Sequence, residues 1–491
     1  MDTSTTVTAR LESSDFEATG LEIIALRGRE RISELFWFDI DVVAHGTLPL
    51  PDEASPGAQL SLVLSQTLAS GVVARSIHGV IERVCDRLDR MNDHRAYTLR
   101  LVPSLATLRL VETQEVFLNQ TVPAILAAKL QLHGLAGDRL TMNAAGYPSR
   151  ELVVQYKESD LAFVSRLAEH LGISFVFAHE EAAPEKLIFT DDVVDLGLPK
   201  SLLPSVEFQS RGDRSGVFAL EVERALVPTS YMVQDYNYRT PLAEISGTFQ
   251  LKKSDNTALG NGGGIVEYGT HHKDSAEGNG LAKVRAEERL SAYEVYRGKS
   301  VVMGLSAGLT TNLTGHPILG DKGLLVVEVT HAAEFAVSGR APSYENQFTA
   351  IPSDVRYRPP RTTPRPRISG LVTGTIALGS SPASGGPAQI DAHGRYTVQL
   401  HFDTVTHTGE DKASHPVRMA QPFAGTSHGF HFPLRPGAEV VLSFLDGDPD
   451  RPIIVGSVPN TVAPSATTAS NSSKNRVVTT AGVLFEIGEG K

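Results

Sequence analysis

Residues 439–460 read EVVLSFLDGDPDRPIIVGSVPN. Val440, Leu442 and Phe444 fall on one face of an extended strand. That strand runs into Asp446-Gly447, a dipeptide suited to a turn with positive φ. Pro449 and Pro452 then restrict the backbone, and a second apolar strand is expected over 453–458. The stretch is a β-turn-β piece with one face to bury. Upstream, Tyr396, Val398, Leu400 and Phe402 alternate with Thr397, Gln399, His401 and Asp403. This is the pattern of a half-buried strand. Asp391-Ala392-His393-Gly394 before it reads as a turn.

The 491 residues suffice for two to four domains at roughly 100–200 residues each. Hydrophobic content of 41% and charged content of 21% are ordinary for globular protein. A formal net charge of −11 argues against nucleic-acid binding, which needs clustered Lys and Arg. Cys85 is the single cysteine, so an intrachain disulfide and a cysteine-based metal site are excluded. The start, MDTSTTVTAR, lacks the basic and apolar runs of a secretory signal peptide. Apolar runs such as GLLVVEV at 323–329 fall far short of the ~20 residues that span a bilayer.

Residues 1–120 read as successive strands. In LFWFDIDVV (35–43), Phe36, Phe38, Ile40 and Val42 share one face, and Trp37, Asp39 and Asp41 the other. Three helices are expected. One covers 122–132, with Thr121 as its cap and Gly134 as its stop. A second covers 160–171, with a stripe of Leu161, Val164, Leu167, Ala168 and Leu171 ending at Gly172. The third is placed near 280–296. RPPRTTPRPR at 358–367 holds four prolines and four arginines, which forbids a helix or a central strand and predicts an extended linker. After Asn460 the chain turns Ser/Thr-rich, and RVVTTAGVLFEI (476–487) supplies a last strand with Val483, Phe485 and Ile487 alternating. Alone, such a strand must pack on its own domain or on other copies.

No chemical motif survives scrutiny. Six of the 16 histidines lie between His393 and His431, at irregular spacing and with no His-Glu-x-x-His string. Adjacent side chains diverge at His271-His272. Asp446, Asp448 and Asp450 do not follow the calcium-loop order, and they read as a turn with a local salt bridge. GNGGG at 260–264 lacks the Gly-Lys-Ser/Thr of a phosphate loop. The acid pairs Glu180-Glu181 and Glu287-Glu288 read as solvated faces, and no Gly-x-Ser-x-Gly string occurs. We therefore expect no catalytic, cofactor-binding or metal-ligating residue. Residues 368–460 carry a net charge of −3, the wrong sign for a strand-binding groove. Phe402, Phe430, Phe432 and Phe444 are therefore expected in the core.

Taken together, the strings resemble the VgrG family, the spikes of type VI secretion, related to contractile phage tail spikes. The resemblance rests on FLDGDPDRPIIVGSVPN, VRMAQPFAG (417–425), IDAHGRYTVQLHFD (390–403), and YPSRELVVQYKESDLAFVSRLAEHLGISFVF (147–177). It also rests on QDYNYRTP (234–241), GLTTNLTGHP (308–317), VTHAAEF (329–335) and YENQFTAIPSDVRYRPP (344–360), all in family order. Lys157 stands where an arginine is common in the family. The resemblance implies a mainly β fold with a few helices (α+β). A tail-hub-like β-barrel region (1–357) would be followed by the linker (358–367) and an OB-fold spike barrel (368–460). The last part (461–491) would be a Ser/Thr-rich connector and the short start of a trimeric β-helix, about thirty residues where many relatives continue with a long needle.

The implied function is structural, with no enzymatic step: a homotrimeric puncturing spike of a type VI or related contractile injection system. Its implied partners are further copies of itself, an Hcp-type tube protein, a PAAR-type tip protein, baseplate components and effectors, with no nucleic acid. The chain would be cytoplasmic during assembly and then exported through the apparatus. Val483, Phe485 and Ile487 are the candidates for the trimer axis. The alternatives are the hub or spike of a phage or extracellular injector, and a hydrolytic spike effector.

Overall fold

The computed structural model describes residues 6–488, apart from 46–49, 51, 69–70, 92–93, 181–182, 195–204, 210–215, 254–255, 258, 260–261, 336–341, 378–385, 388 and 405–413. The chain divides into two compact units. The first holds Met1–Leu110, Leu126–Tyr147 and Leu161–Pro364. The second holds Val111–Ile125, Pro148–Asp160 and Arg365–Lys491.

Among the described residues the first unit is built on a twelve-stranded sheet. Its main path starts at Thr6–Glu12 and passes through Gln59–Leu68, Gly71–Met91, His94–Val102 and Trp37–His45 to Leu21–Arg31. Leu21–Arg31 then pairs with Gly320–Glu334, Glu30 lying opposite Val329. Ser343–Pro352, Glu294–Ser300 and Val217–Arg224 complete the path. The alternation read at 35–43 is realised. Phe36 is 2% exposed and Phe38, Ile40 and Val42 are fully buried, while Asp39 and Asp41 face outward and pair with Arg100 and Arg87. Gly28 is needed opposite Phe38, because any Cβ there would lie 2.1 Å from the Phe38 ring.

The helices follow their capping chemistry. In α1 (Val122–Leu132), Thr121 Oγ1 accepts the Ala124 N–H at 3.3 Å, and Gly134 beyond its end has φ +72°. In α2 (Asp160–Leu171), Gly172 has φ +69° and the Ile173 N–H donates to the Ala168 carbonyl at 2.9 Å. That is a left-handed stop with its six-to-one bond. The third helix departs from expectation. α3 runs Ser275–Leu290, and Glu294–Ser300 is a strand. Asp274 caps it, its side chain accepting the Ala276 and Glu277 N–H groups. Gly278 and Gly280 lower helix propensity and hide this start from a sequence reading. The facing Gly247 is required by packing, since a Cβ there would come within 2.0 Å of the Gly278 carbonyl carbon.

In the second unit, Glu112–Thr121 pairs with Ser149–Ser159. A five-stranded sheet runs in the order Val398–Leu400, Val372–Ile376, Glu439–Phe444, Pro452–Ser457, Arg418–Met419. One core joins these parts: Val116, Leu152 and Val154 pack with Tyr396, Val398, Leu400, Val440, Leu442, Phe444 and Ile454. Residues 111–125 and 148–160, which fall inside 1–357, thus pack with the barrel strands.

Candidate assembly site

The opening stretch folds as read. Glu439–Phe444 and Pro452–Ser457 form an antiparallel hairpin. Asp446 (φ 54°) and Gly447 (φ 72°) supply the positive φ of its turn. The acids of the turn also reach residues distant in sequence. Arg365 Nη1 lies 3.1 Å from Asp448 and its Nη2 3.5 Å from Asp450, while Arg367 meets Asp446 at 3.3 Å. Asp450 Oδ1 also accepts the Val154 N–H at 2.7 Å. The turn is a clasp that holds the strand Ser149–Ser159 and the start of the barrel chain.

Other motif residues prove to be internal supports. Asp160, at the end of YKESD, accepts from Gln155 Nε2 at 2.7 Å and Thr113 Oγ1 at 3.1 Å. In QDYNYRTP, buried Asp235 accepts the His271 N–H and the Tyr236 N–H, both at 2.7 Å. His272 is buried against Thr270, 2.8 Å away, while His401, facing outward as read, bonds Thr373 and Thr375. Glu287 and Glu288 are not solvated: Glu287 pairs with Arg358 at 2.7 Å and Glu288 with Arg361 at 3.5 Å. Gly260, Asn261, Glu181 and His407 lie outside the described residues.

The phenylalanines divide. Phe444 is buried and Phe402 meets Tyr156 edge to face, ring centroids 5.1 Å apart. Phe430 and Phe432, expected in the core, are 52% and 49% exposed. They sit beyond the short hairpin Ala424–Gly425/His428–Gly429 and pack edge-on against each other at 4.9 Å. Strand parity cannot bury residues that leave the sheet.

Beyond the barrel hairpin, Lys474–Val478 pairs with Leu484–Gly488. The last strand therefore has a partner, which the lone-strand reading missed. Its signal was present in Val477 and Val478 and in Gly482, whose φ of +85° closes the turn. Register puts Val477 beside Phe485 and Asn475 beside Ile487 on one face. Val483 lies one residue outside the strand, its carbonyl accepting the Thr479 N–H at 2.9 Å. The opposite face carries Lys474 and Arg476, both bonded to Glu486, at 2.8 and 2.7 Å. These cations hold the Glu486 carboxyl below its ordinary range, the Lys474 bond first among the causes. Among the described residues nothing covers the apolar face: Val477 is 42%, Val483 64%, Phe485 61% and Ile487 53% exposed.

The sheet of the first unit and the barrel of the second define a tail-hub protein with an attached injector barrel. Residues 29–336 match the model of the phage tail baseplate hub (GPD) family. Residues 388–458 match the type VI secretion system/phage-baseplate injector OB domain. The type VI secretion system spike protein VgrG5 of Pseudomonas aeruginosa is 29% identical over 471 residues, covering 89% of this chain and 55% of that protein. The actin cross-linking toxin VgrG1 of Vibrio cholerae is 29% identical over 78% of this chain and 35% of the toxin. The E. coli c3393 protein, a component of the type VI secretion system with structural similarity to T4 bacteriophage tail proteins gp27 and gp5, superposes with a TM-score of 0.64. It is 25% identical, over 91% of this chain and all of that one. The chain belongs to the phage tail baseplate hub family, and the relatives it matches are VgrG proteins. It spans little more than half the length of VgrG5.

Proposed function

We propose that this chain is the hub and barrel of a homotrimeric spike that a contractile injection system drives through a target envelope. The observation that carries the reading is the uncovered face of Val477, Phe485 and Ile487. An isolated two-stranded hairpin is marginal in water. Three such hairpins packed about an axis would bury these side chains in one another and satisfy each free edge with a neighbouring copy. Each side chain would bury the half of its surface now exposed, worth roughly 1 kcal/mol apiece. Val483, Phe485 and Ile487 are the axis residues of this proposal, and Val477 joins them through its register with Phe485.

The names of the relatives support a spike of type VI secretion, and the proposed partners follow from that role. They are an Hcp-type tube protein, a PAAR-type tip, baseplate components and carried effectors. Assembly would take place in the cytoplasm, with export through the apparatus itself. The proposed division is hub 1–357, connecting segment 358–367, barrel 368–460 and start of the needle 461–491. The role is mechanical, and no residue is assigned a reaction. Light scattering on the purified chain tests it. The expected mass is three times 52.7 kDa, and Phe485→Asp should return it to that of one chain. A wild-type monomer at micromolar concentration would overturn the reading.

A further inference from the structure

The segment Arg358–Arg367 forms no helix or strand, yet its arginines and threonines bond to carboxylates. Arg358 is 6% exposed. Its Nε bonds Glu287 at 2.7 Å, and its Nη1 donates to the Gly172 and Asp191 carbonyls at 3.0 and 2.8 Å. Arg361 bonds Glu267 at 2.7 Å and the Tyr231 hydroxyl at 3.2 Å. The Thr362 and Thr363 N–H groups both donate to Glu169 Oε2, at 3.0 and 2.9 Å. The chain passes from the first unit to the second between Pro364 and Arg365. Arg365 and Arg367 then meet Asp448, Asp450 and Asp446, and the Ile368 N–H donates to the Gly447 carbonyl at 2.8 Å.

A linker that only joined two units would leave its backbone and its cations in water. Here each half is fixed to carboxylates of its own unit. Prolines at 359, 360, 364 and 366 keep what lies between extended. Glu169 accepts two successive backbone N–H groups, a fixing point that a mobile tether cannot provide. We propose that residues 358–367 form a charge-fastened strap: tension along the chain here is borne by ion pairs to Glu267, Glu287 and Asp448 and by the backbone N–H bonds to Glu169. This rests on the contacts within each unit and stands whether or not the chain trimerises.

Limited digestion of the folded full chain with trypsin tests the strap. The bonds after Arg358 and Arg365 precede proline and resist the protease, which leaves Arg361–Thr362 and Arg367–Ile368 as the reporters. The folded wild type should resist cutting at Arg361. Glu169→Ala frees the Thr362 and Thr363 N–H groups and should raise cutting there by about tenfold or more, through local opening. Glu267→Gln, which keeps shape and loses charge, should give a smaller rise, and 1 M salt should accelerate cutting in the wild type too. Circular dichroism and the melting temperature show whether each variant is folded. Rapid cutting of the folded wild type at Arg361 would overturn the proposal. So would a folded Glu169→Ala protein that is cut no faster than the wild type. If Glu169→Ala fails to fold, Glu267→Gln and the salt response decide by the same criterion.

Discussion

Two hairpins of this chain carry the same alternation and meet opposite fates. In Glu439–Phe444, Val440 and Leu442 are fully buried and Phe444 is 6% exposed. In Leu484–Gly488, Phe485 is 61% and Ile487 53% exposed. Both have a turn with a positive-φ glycine, and both have a paired strand. The first closes on a core that joins Val116, Leu152 and Val154 to residues 368–454 of its own unit. The second has no such layer among the described residues, and its other face carries the Lys474–Glu486–Arg476 ion pairs beside Val478 and Leu484, each 52% exposed. Alternation therefore states which face needs cover. It does not say whether the cover comes from the same chain.

The largest effect should come from breaking the covered hairpin. Leu442→Ala removes a fully buried side chain and should cost about 2–5 kcal/mol. Chemical denaturation followed by fluorescence or circular dichroism would read it. A loss below 1 kcal/mol would mean that the barrel core is not packed as described.

The next effect separates the hub from both hairpins. His331 Nε2 lies 3.0 Å from Glu30 and its Nδ1 2.7 Å from the Tyr344 hydroxyl, an arrangement complete with a neutral ring. Burial lowers its pKa. His179 accepts the His78 N–H on Nδ1 at 3.1 Å, and burial is the main reason that its pKa falls to about 3. A proton on Nδ1 would remove that bond. The unfolded chain binds this proton more readily, so the contribution is complete above pH 6.5 and is lost as pH falls toward 3. Between pH 7 and pH 5 the hub should lose about 2 kcal/mol, and His179→Gln should flatten that slope. Hydrogen exchange of strand 71–91 at the two pH values would show it, and equal protection at both would exclude the mechanism.

Much of the site was legible. The turn at Asp446-Gly447, the faces of residues 36–42 and 396–400, and the ends of α1 and α2 follow from local rules, and sequence carries local rules. The pairing of Leu21–Arg31 with Gly320–Glu334 does not, because some 300 residues intervene and many apolar strands would serve. The same holds for Arg365 with Asp448, whose partnership no local rule indicates. Phe430 and Phe432 misled for a different reason: hydrophobicity implies burial only where a residue stays in a sheet or helix that has a core beside it. α3 starts earlier than its pattern suggests, because Gly278 and Gly280 weaken the helix locally while Gly278 packs against His272 and Gly247. Packing overruled propensity.

The smallest effects test whether the uncovered hairpin has two different faces. Phe485→Ala removes no buried contact from the separate chain, so its melting transition at dilution should stay within about 0.5 kcal/mol of wild type. In the assembled form the same change should cost roughly 1 kcal/mol for each chain, seen as a higher concentration for half-dissociation. Glu486→Gln alters only the face that bears Lys474 and Arg476. It should leave the mass by light scattering unchanged at low salt and at 0.5 M salt alike. If Glu486→Gln dissociates the assembly while Phe485→Ala does not, the ion-paired face is the one that meets other copies, and the apolar face is a surface without a partner.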